Sequence, residues 1–495
     1  MLSSATDLRN RLTSLDRRIY AALIGIAIGG LGGLIGLLLA LGGPLVAAGA
    51  VLGALAALYI LTNIHAALYG IIAVMALLPF GTFPVRIGFT PTLLDAAIGA
   101  FLLVYLLQWA TGRRRSFRVT PVHWLIVLYI GWLILAFILG LGHSRPTSTN
   151  LRQFAEMILS IGLVFVLVDL LSDPAALRRL VLIILAAVVT QAAIALVLYA
   201  LPDMTAERTL VRLARIGYPD GGVIRYIEDN PDEAERAIGT WVDPNALGGF
   251  LAVGAVIIAP QVMAHQPVLR SRWIAWGALG IVGIALLLTY SRASMLAFAS
   301  GLLFISLFRG YRRFLALLLL GAGLVLLLPQ TQGLVERFIE AFTATDLATQ
   351  MRLGEYGDSF ELIARYPIAG VGFTGSPDID LYTDVASMYL IMANQIGLVG
   401  VALFASVMIG IFVYGQRALP AARGNPELRA IHLGFHAALL ALLINAVADH
   451  FYFRLDFHAS ITLFWLVAAL ALASSRLALA RHQANLTVAK ARSIL

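Results

Sequence analysis

Three arginines stand where long apolar runs give way to polar residues, and a guanidinium in such a place is equipped to hold an anion. Arg236 precedes Gly239-Thr-Trp-Val-Asp243-Pro244-Asn245-Ala-Leu-Gly-Gly, which leads into an apolar run. Asp243 followed by Pro244 reads as an N-cap and first-turn pair. A helix begun there aims its positive dipole end and unpaired N–H groups at the polar boundary, where an anion is stabilised. The same residues would equally do no more than cap a long helix, with Arg236 on its rim. Arg292 lies in Thr289-Tyr-Ser-Arg-Ala-Ser294, a turn so short that the guanidinium sits at or just below the membrane interface. An ionisable group at that depth is a functional candidate, and the alternative is a side chain snorkelling to lipid headgroups. Arg352 is three residues before Glu355, so it is either open to a ligand or paired on a solvated helix face. Glu361 and Arg365, at i,i+4, read as such a pair.

Further polar residues gather near the same boundary: Asp378, Asp380, Asp384, Asp449, His450, Arg454, Asp456 and His458. Asp449-His450 suggests a base with its orienting carboxylate, or an interfacial histidine in an aromatic belt. Gly370-Val-Gly372 has no strand before it and no Lys after it, so it is not read as a phosphate loop. No ligand spacing matches a familiar metal site. With no Cys in the chain, thiolate sites and disulfides are excluded.

These residues must be positioned by membrane-spanning helices. The 495 residues are 60% hydrophobic and only 13% charged, with a mean hydropathy of +0.88; a soluble chain would carry about a quarter charged residues. Apolar runs long enough to span a bilayer recur throughout, near 19–41, 45–62, 66–83, 92–110, 121–141, 154–172, 180–201, 241–263, 273–290, 293–308, 314–329, 389–414, 430–448 and 457–474. The expected fold is an all-α polytopic transmembrane bundle of about 12–14 spans. It forms a single transmembrane domain over residues 1–495, with two large extracytoplasmic helical loops at 202–238 and 330–388. The run after Arg17-Arg18 lacks an Ala-x-Ala-like cleavage site and reads as a retained first span. Most of the 35 Lys and Arg residues then fall on one side, in the tails and in clusters such as Arg113-Arg114-Arg115 and Arg312-Arg313. That side is cytoplasmic by the positive-inside rule, with both termini on it. The net charge of +8 is scattered in short clusters, which gives no indication of nucleic acid. Most of the 27 acidic residues lie in the two outward loops. Within 347–366, Leu353, Tyr356, Phe360 and Ile363 recur at helical spacing, and Pro367 and Gly370 end that helix.

In order along the chain, these pieces resemble the O-antigen ligase and polymerase superfamily, membrane glycosyltransferases that use undecaprenyl-diphosphate-linked glycans. The likeness covers about residues 205–415: Arg236, Gly239 and Pro244-Asn245 entering a span; the Ser291-Arg292 turn; Arg352 opening an outer helix that ends in Pro367 to Gly372; and Tyr389-Leu390 before Gly397-Leu-Val-Gly400. Ligases of the family carry a His-Asn pair just before the Tyr-Leu, with the His as base. This chain reads Asp384-Val-Ala-Ser-Met-Tyr389 there, and Asp384 is the candidate to stand in as base.

The resemblance implies an extracytoplasmic inverting transferase or polymerase of the bacterial cytoplasmic membrane, with a lipid-linked oligosaccharide donor and a glycan, lipid or protein acceptor. Arg236, Asn245, Arg292, Arg352 and Tyr389 would bind diphosphate and glycan. Arginine forks suit the charge developing on a diphosphate leaving group without a metal or other cofactor, and a cavity open sideways to membrane lipid would admit the polyprenyl chain. Two other readings are a transporter of a small anion such as bicarbonate and an inactive assembly partner of another enzyme. Against transport, few charges lie near mid-span and no broken helices recur in matching halves.

Overall fold

The Asp243 carboxylate accepts the amides of Asn245 and Ala246 at 2.8 Å each, and Pro244 follows in the first turn. Asn425 ahead of Pro426 and Ser271 ahead of Arg272 cap helices in the same way. Such caps satisfy amides that a helix start leaves without partners.

The computed structural model describes residues 32–33, 51, 58–60, 62–83, 88–328, 332–344, 346–375, 381 and 384–492. The helices, in order, are α1 (Ile64–Leu77), α2 (Leu93–Ala110), α3 (Val122–Gly140), α4 (Ser148–Leu170), α5 (Pro174–Ala200), α6 (Asp203–Val211), α7 (Pro244–Met263), α8 (Arg272–Leu288), α9 (Arg292–Ser306), α10 (Arg313–Leu327), α11 (Gln332–Thr343), α12 (Leu347–Arg365), α13 (Met388–Ala422), α14 (Pro426–Asn445) and α15 (His458–Arg492). Among the described residues, eight helices are long and apolar enough to cross a membrane, and α1, α8, α9 and α10 are shorter apolar helices. The expected spans at 19–41 and 45–62 lie almost wholly outside the described residues. Large apolar side chains are exposed along the bundle, among them Trp124 on α3, Trp273 on α8 and Leu327 on α10. That much apolar surface belongs in lipid, and the protein is a multi-pass membrane protein with an all-α helical bundle.

The chain groups into two compact units, Met1–Gly70 with Ala97–Phe117, and Ile71–Ala96 with Arg118–Leu495. Within the second, α7 is almost entirely buried and packs against α8, α9 and α14, and α15 packs against α4, α13 and α14. The segment 202–238 contains α6, two 3-10 turns and a short hairpin pairing β1 (Arg225–Tyr226) with β2 (Glu235–Arg236), so it is less helical than expected. The segment 330–388 holds the expected amphipathic helix as α12, and α11 before it.

The corner after α12 is locked into a break in α13. Gly370 takes a φ of +67°, and the amides of Val371 and Gly372 donate to the carbonyls of Asn394 and Gln395 at 2.8 and 2.9 Å. Leu398 N donates to Pro367 O at 2.8 Å, and Trp132 Nε1 on α3 takes the Ile396 carbonyl, also at 2.8 Å. The break centres on Gly397, with φ +66° and ψ 178°, a region open essentially to glycine alone. A Cβ there would lie 2.0 Å from the Ile368 carbonyl oxygen. Gly397→Ala is expected to lower stability by at least about 2 kcal/mol. Gly323→Ala, on α10 with open space around the new Cβ, is expected to be nearly neutral, and thermal unfolding of the purified variants compares the two.

Candidate functional site

Three of the polar breaks in the sequence converge through backbone carbonyls. Arg236, at the end of β2, donates from Nε to the Thr289 carbonyl at 2.8 Å and from Nη2 to Asn245 Oδ1 at 2.7 Å. The adjacent Ala237 amide donates to the Leu288 carbonyl at 2.8 Å. The end of α8 thus holds the arginine that precedes α7. Just beyond, Tyr290 has a φ of +51°, unusual for a side chain of that size. Ser291 then caps α9 by accepting the Ser294 amide, and Arg292 is its first residue.

Arg292 is 13% exposed and does not snorkel. Its Nη2 pairs with Asp346 Oδ2 at 2.8 Å and its Nη1 donates to the Arg337 carbonyl at 2.7 Å. Arg337 lies with its guanidinium carbon 6.0 Å from the centre of the Tyr290 ring. Arg352, on α12, makes no hydrogen bond or ion pair among the described residues. Its expected neighbour Glu355 instead accepts the Ala386 amide at 3.1 Å. Glu361 and Arg365 do form the surface pair.

A cavity of about 190 Å³ gathers these groups, lined by Tyr226, Glu228, Asp229, Arg236, Asn245, Tyr290, Ser291, Arg292, Ala293, Arg337, Arg352 and Asp449. A second cavity of about 220 Å³ shares Arg292, Ala293 and Arg352 and continues along the apolar Leu296, Phe338, Leu353 and Tyr356.

Four of the sequence-expected site residues, Arg236, Asn245, Arg292 and Arg352, therefore line one cavity. Tyr389 does not: its hydroxyl donates to the Leu443 carbonyl at 2.8 Å. Asp384 does not line it either, and pairs with Arg454 at 2.7 Å. Burial raises the Asp384 carboxyl and the Arg454 charge opposes that shift. Arg337 was not singled out from sequence. The available signal was Val335, Phe338 and Ile339 at helical spacing, which turns Arg337 toward another face.

Asp449, already noted in the sequence beside His450, also lines the cavity. It follows α14, is 3% exposed, and accepts Asn445 Nδ2 at 3.1 Å. Asn445 in turn contacts Ser294 Oγ at 3.3 Å and accepts the Tyr452 hydroxyl at 2.6 Å. Gly249 on α7 makes room for this network, since a Cβ there would lie 2.3 Å from the Tyr452 hydroxyl. Asp449 does not orient His450, whose Nε2 faces Arg454 at 3.2 Å; burial, with the Arg454 charge, pushes His450 down to about 4.

Burial pushes the Asp449 carboxyl up to about 7, against the opposing charges of Arg352 and Arg236. Burial also lowers Arg236 to about 10, still protonated at neutral pH. The site thus places a carboxyl able to exchange a proton near neutrality among four guanidiniums. Because the folded state holds the Asp449 proton more tightly than the unfolded chain, whose ordinary value is 3.8, its contribution to stability is full below about pH 4. It falls as pH rises and levels off above about 7. Asp449→Asn is expected to lose that slope, measured as unfolding midpoint against pH.

Residues 277–405 match the family described as O-antigen ligase, which supports an assignment to the O-antigen ligase and polymerase superfamily. The matched stretch contains Arg292, Arg337, Arg352, Asp384 and Tyr389, and ends before Asp449. None of the curated proteins matches the chain.

Proposed function

We propose that the chain is an extracytoplasmic glycosyltransferase that transfers or polymerises glycan from an undecaprenyl-diphosphate-linked donor with inversion. The observation that carries this reading is the convergence of Arg236, Arg292, Arg337 and Arg352 on one cavity. The adjoining pocket, with its mostly apolar wall, suits the first isoprene units of the lipid. In the reaction, an acceptor hydroxyl oxygen attacks the anomeric carbon from the face opposite the diphosphate. The carbon–oxygen bond to phosphate breaks, its electron pair goes to the diphosphate, and the hydroxyl proton passes to a carboxylate. The guanidiniums stabilise the charge that grows on the leaving group, so no metal is assigned to this step.

Asp449 suits the base better than Asp384. It lines the cavity and titrates near neutrality, where a general base is most effective, whereas Asp384 is engaged by Arg454. In proteoliposomes supplied with a lipid-diphosphate-linked oligosaccharide, Arg292→Ala and Arg352→Ala are each expected to slow transfer by roughly 10²–10³-fold. Asp449→Asn should do likewise and Asp384→Asn much less. Undiminished product from both arginine variants would sink the clamp, and the reverse order of the two Asp variants would return the base to Asp384. Solute uptake without glycan would favour anion transport, and activity appearing only with a second protein would favour an assembly role.

The proposed orientation has its own check, aided by the absence of native cysteine. Asp220→Cys and Arg115→Cys both replace exposed residues. In intact cells a membrane-impermeant maleimide should label the first, and should reach the second only after lysis.

A further inference from the structure

A second buried cluster of ionisable groups lies apart from the arginine cavity, and none of its residues lines that cavity. We propose that Asp95, Glu156 and His458 form a binding site for a divalent transition-metal cation of the zinc type. The inference does not rest on the glycosyltransferase reading.

Two independent features point to a ligand. His458 is only 7% exposed, yet among the described residues neither of its ring nitrogens has a hydrogen-bond partner; buried imidazoles normally find one. Its Nδ1 lies 3.5 Å from Asp95 Oδ1 and 3.7 Å from Glu156 Oε2. Zinc binds nitrogen and carboxylate oxygen at about 2.0–2.2 Å, so two tetrahedral ligands sit roughly 3.3–3.6 Å apart. The observed separations are close to those values, and the donor set of one imidazole and two carboxylates suits zinc and its neighbours.

The remaining carboxylate oxygens are already occupied by groups that would hold the ligands in place. Arg152 Nη1 donates to Asp95 Oδ2 at 3.4 Å and to Glu156 Oε1. The Thr92 amide also donates to Asp95 Oδ2, at 2.7 Å. The oxygens facing His458 are the other two, so Arg152 orients the carboxylates without occupying the proposed site, as outer-shell partners do. Metal binding requires both carboxyls to release their protons, and two carboxylates against one guanidinium then leave a net negative charge for a divalent cation to neutralise. One helical turn further on, Ser160 Oγ and Thr462 Oγ1 meet at 2.9 Å and hold α4 against α15. A fourth tetrahedral position is left for water. Because His458 opens α15, the metal would pin the far end of the segment that carries Asp449.

The test uses purified full-length protein in detergent, stripped with a chelator, desalted, and titrated with Zn²⁺ alone. One zinc per chain by elemental analysis is expected, together with a rise in unfolding temperature. Co²⁺ in place of Zn²⁺ should give the visible absorption of a tetrahedral site. Glu156→Gln and His458→Gln, nearly matched in size, are each expected to weaken zinc binding by more than about tenfold. Should one variant fail to run as a single species on gel filtration, the other carries the test, with Asp95→Asn as a third. No stoichiometric zinc on the wild-type chain would overturn the proposal, as would a thermal shift by Zn²⁺ that persists in the folded variants.

Discussion

Positive charge brought to the edge of a lipid-facing bundle must be oriented without being cancelled, and this constraint shapes the site more than any other. Arg236 is held by a backbone carbonyl and a side-chain amide, both of which direct a guanidinium without contributing a negative charge. Arg292 is held partly by the Arg337 carbonyl, and among the described residues it alone of the four is paired with a carboxylate within bonding distance, Asp346. The cost of keeping these cations near one another shows in Arg236 and Arg337, which burial and neighbouring guanidiniums both lower. A cavity built in this way suits the proposed diphosphate, whose oxygens match the geometry of guanidinium forks.

The helices that present the arginines are anchored by contacts that depend on backbone rather than on charge. The Gly370 corner fits into the break at Gly397 and its amides take carbonyls that the broken helix leaves free. This joins α12, with Arg352, to α13. The Ala237–Leu288 hydrogen bond does the same for Arg236 and the end of α8. Glycine spacing that looks weak as a phosphate motif thus has a firm structural reason. The Pro-x-x-Gly-x-Gly corner is a lock between the amphipathic helix α12 and the broken α13.

The two acidic candidates are separated by their surroundings. Asp384 is about one-third exposed and held by Arg454, which also reaches Asp456 at 2.8 Å. Asp449 is deeply buried at the cavity wall, and among the described residues its carboxylate is bonded only by the neutral Asn445 amide. Burial therefore raises Asp449 to about 7, the range in which one carboxyl can both take and return a proton. Position along the chain favoured Asp384, beside the family's Tyr-Leu span, whereas position in space favours Asp449.

The sequence by itself determined what is local. Hydrophobic run length set the spans; the Asp243-Pro244 cap, the α12 helix and its termination at Pro367 were all legible, because each depends on neighbours a few residues away. It also singled out Arg236, Arg292 and Arg352, since a charge between apolar runs is conspicuous. It did not foresee the hairpin that delivers Arg236, because that hairpin pairs only two residues on each strand and leaves almost no period-two signal. Tertiary structure alone decided that the arginines share a cavity, that Arg337 and Asp449 join them, and that Asp95, Glu156 and His458 meet. Those arrangements depend on contacts between helices distant in sequence, and hydrophobic periodicity says which face of a helix is buried but not which partner it meets.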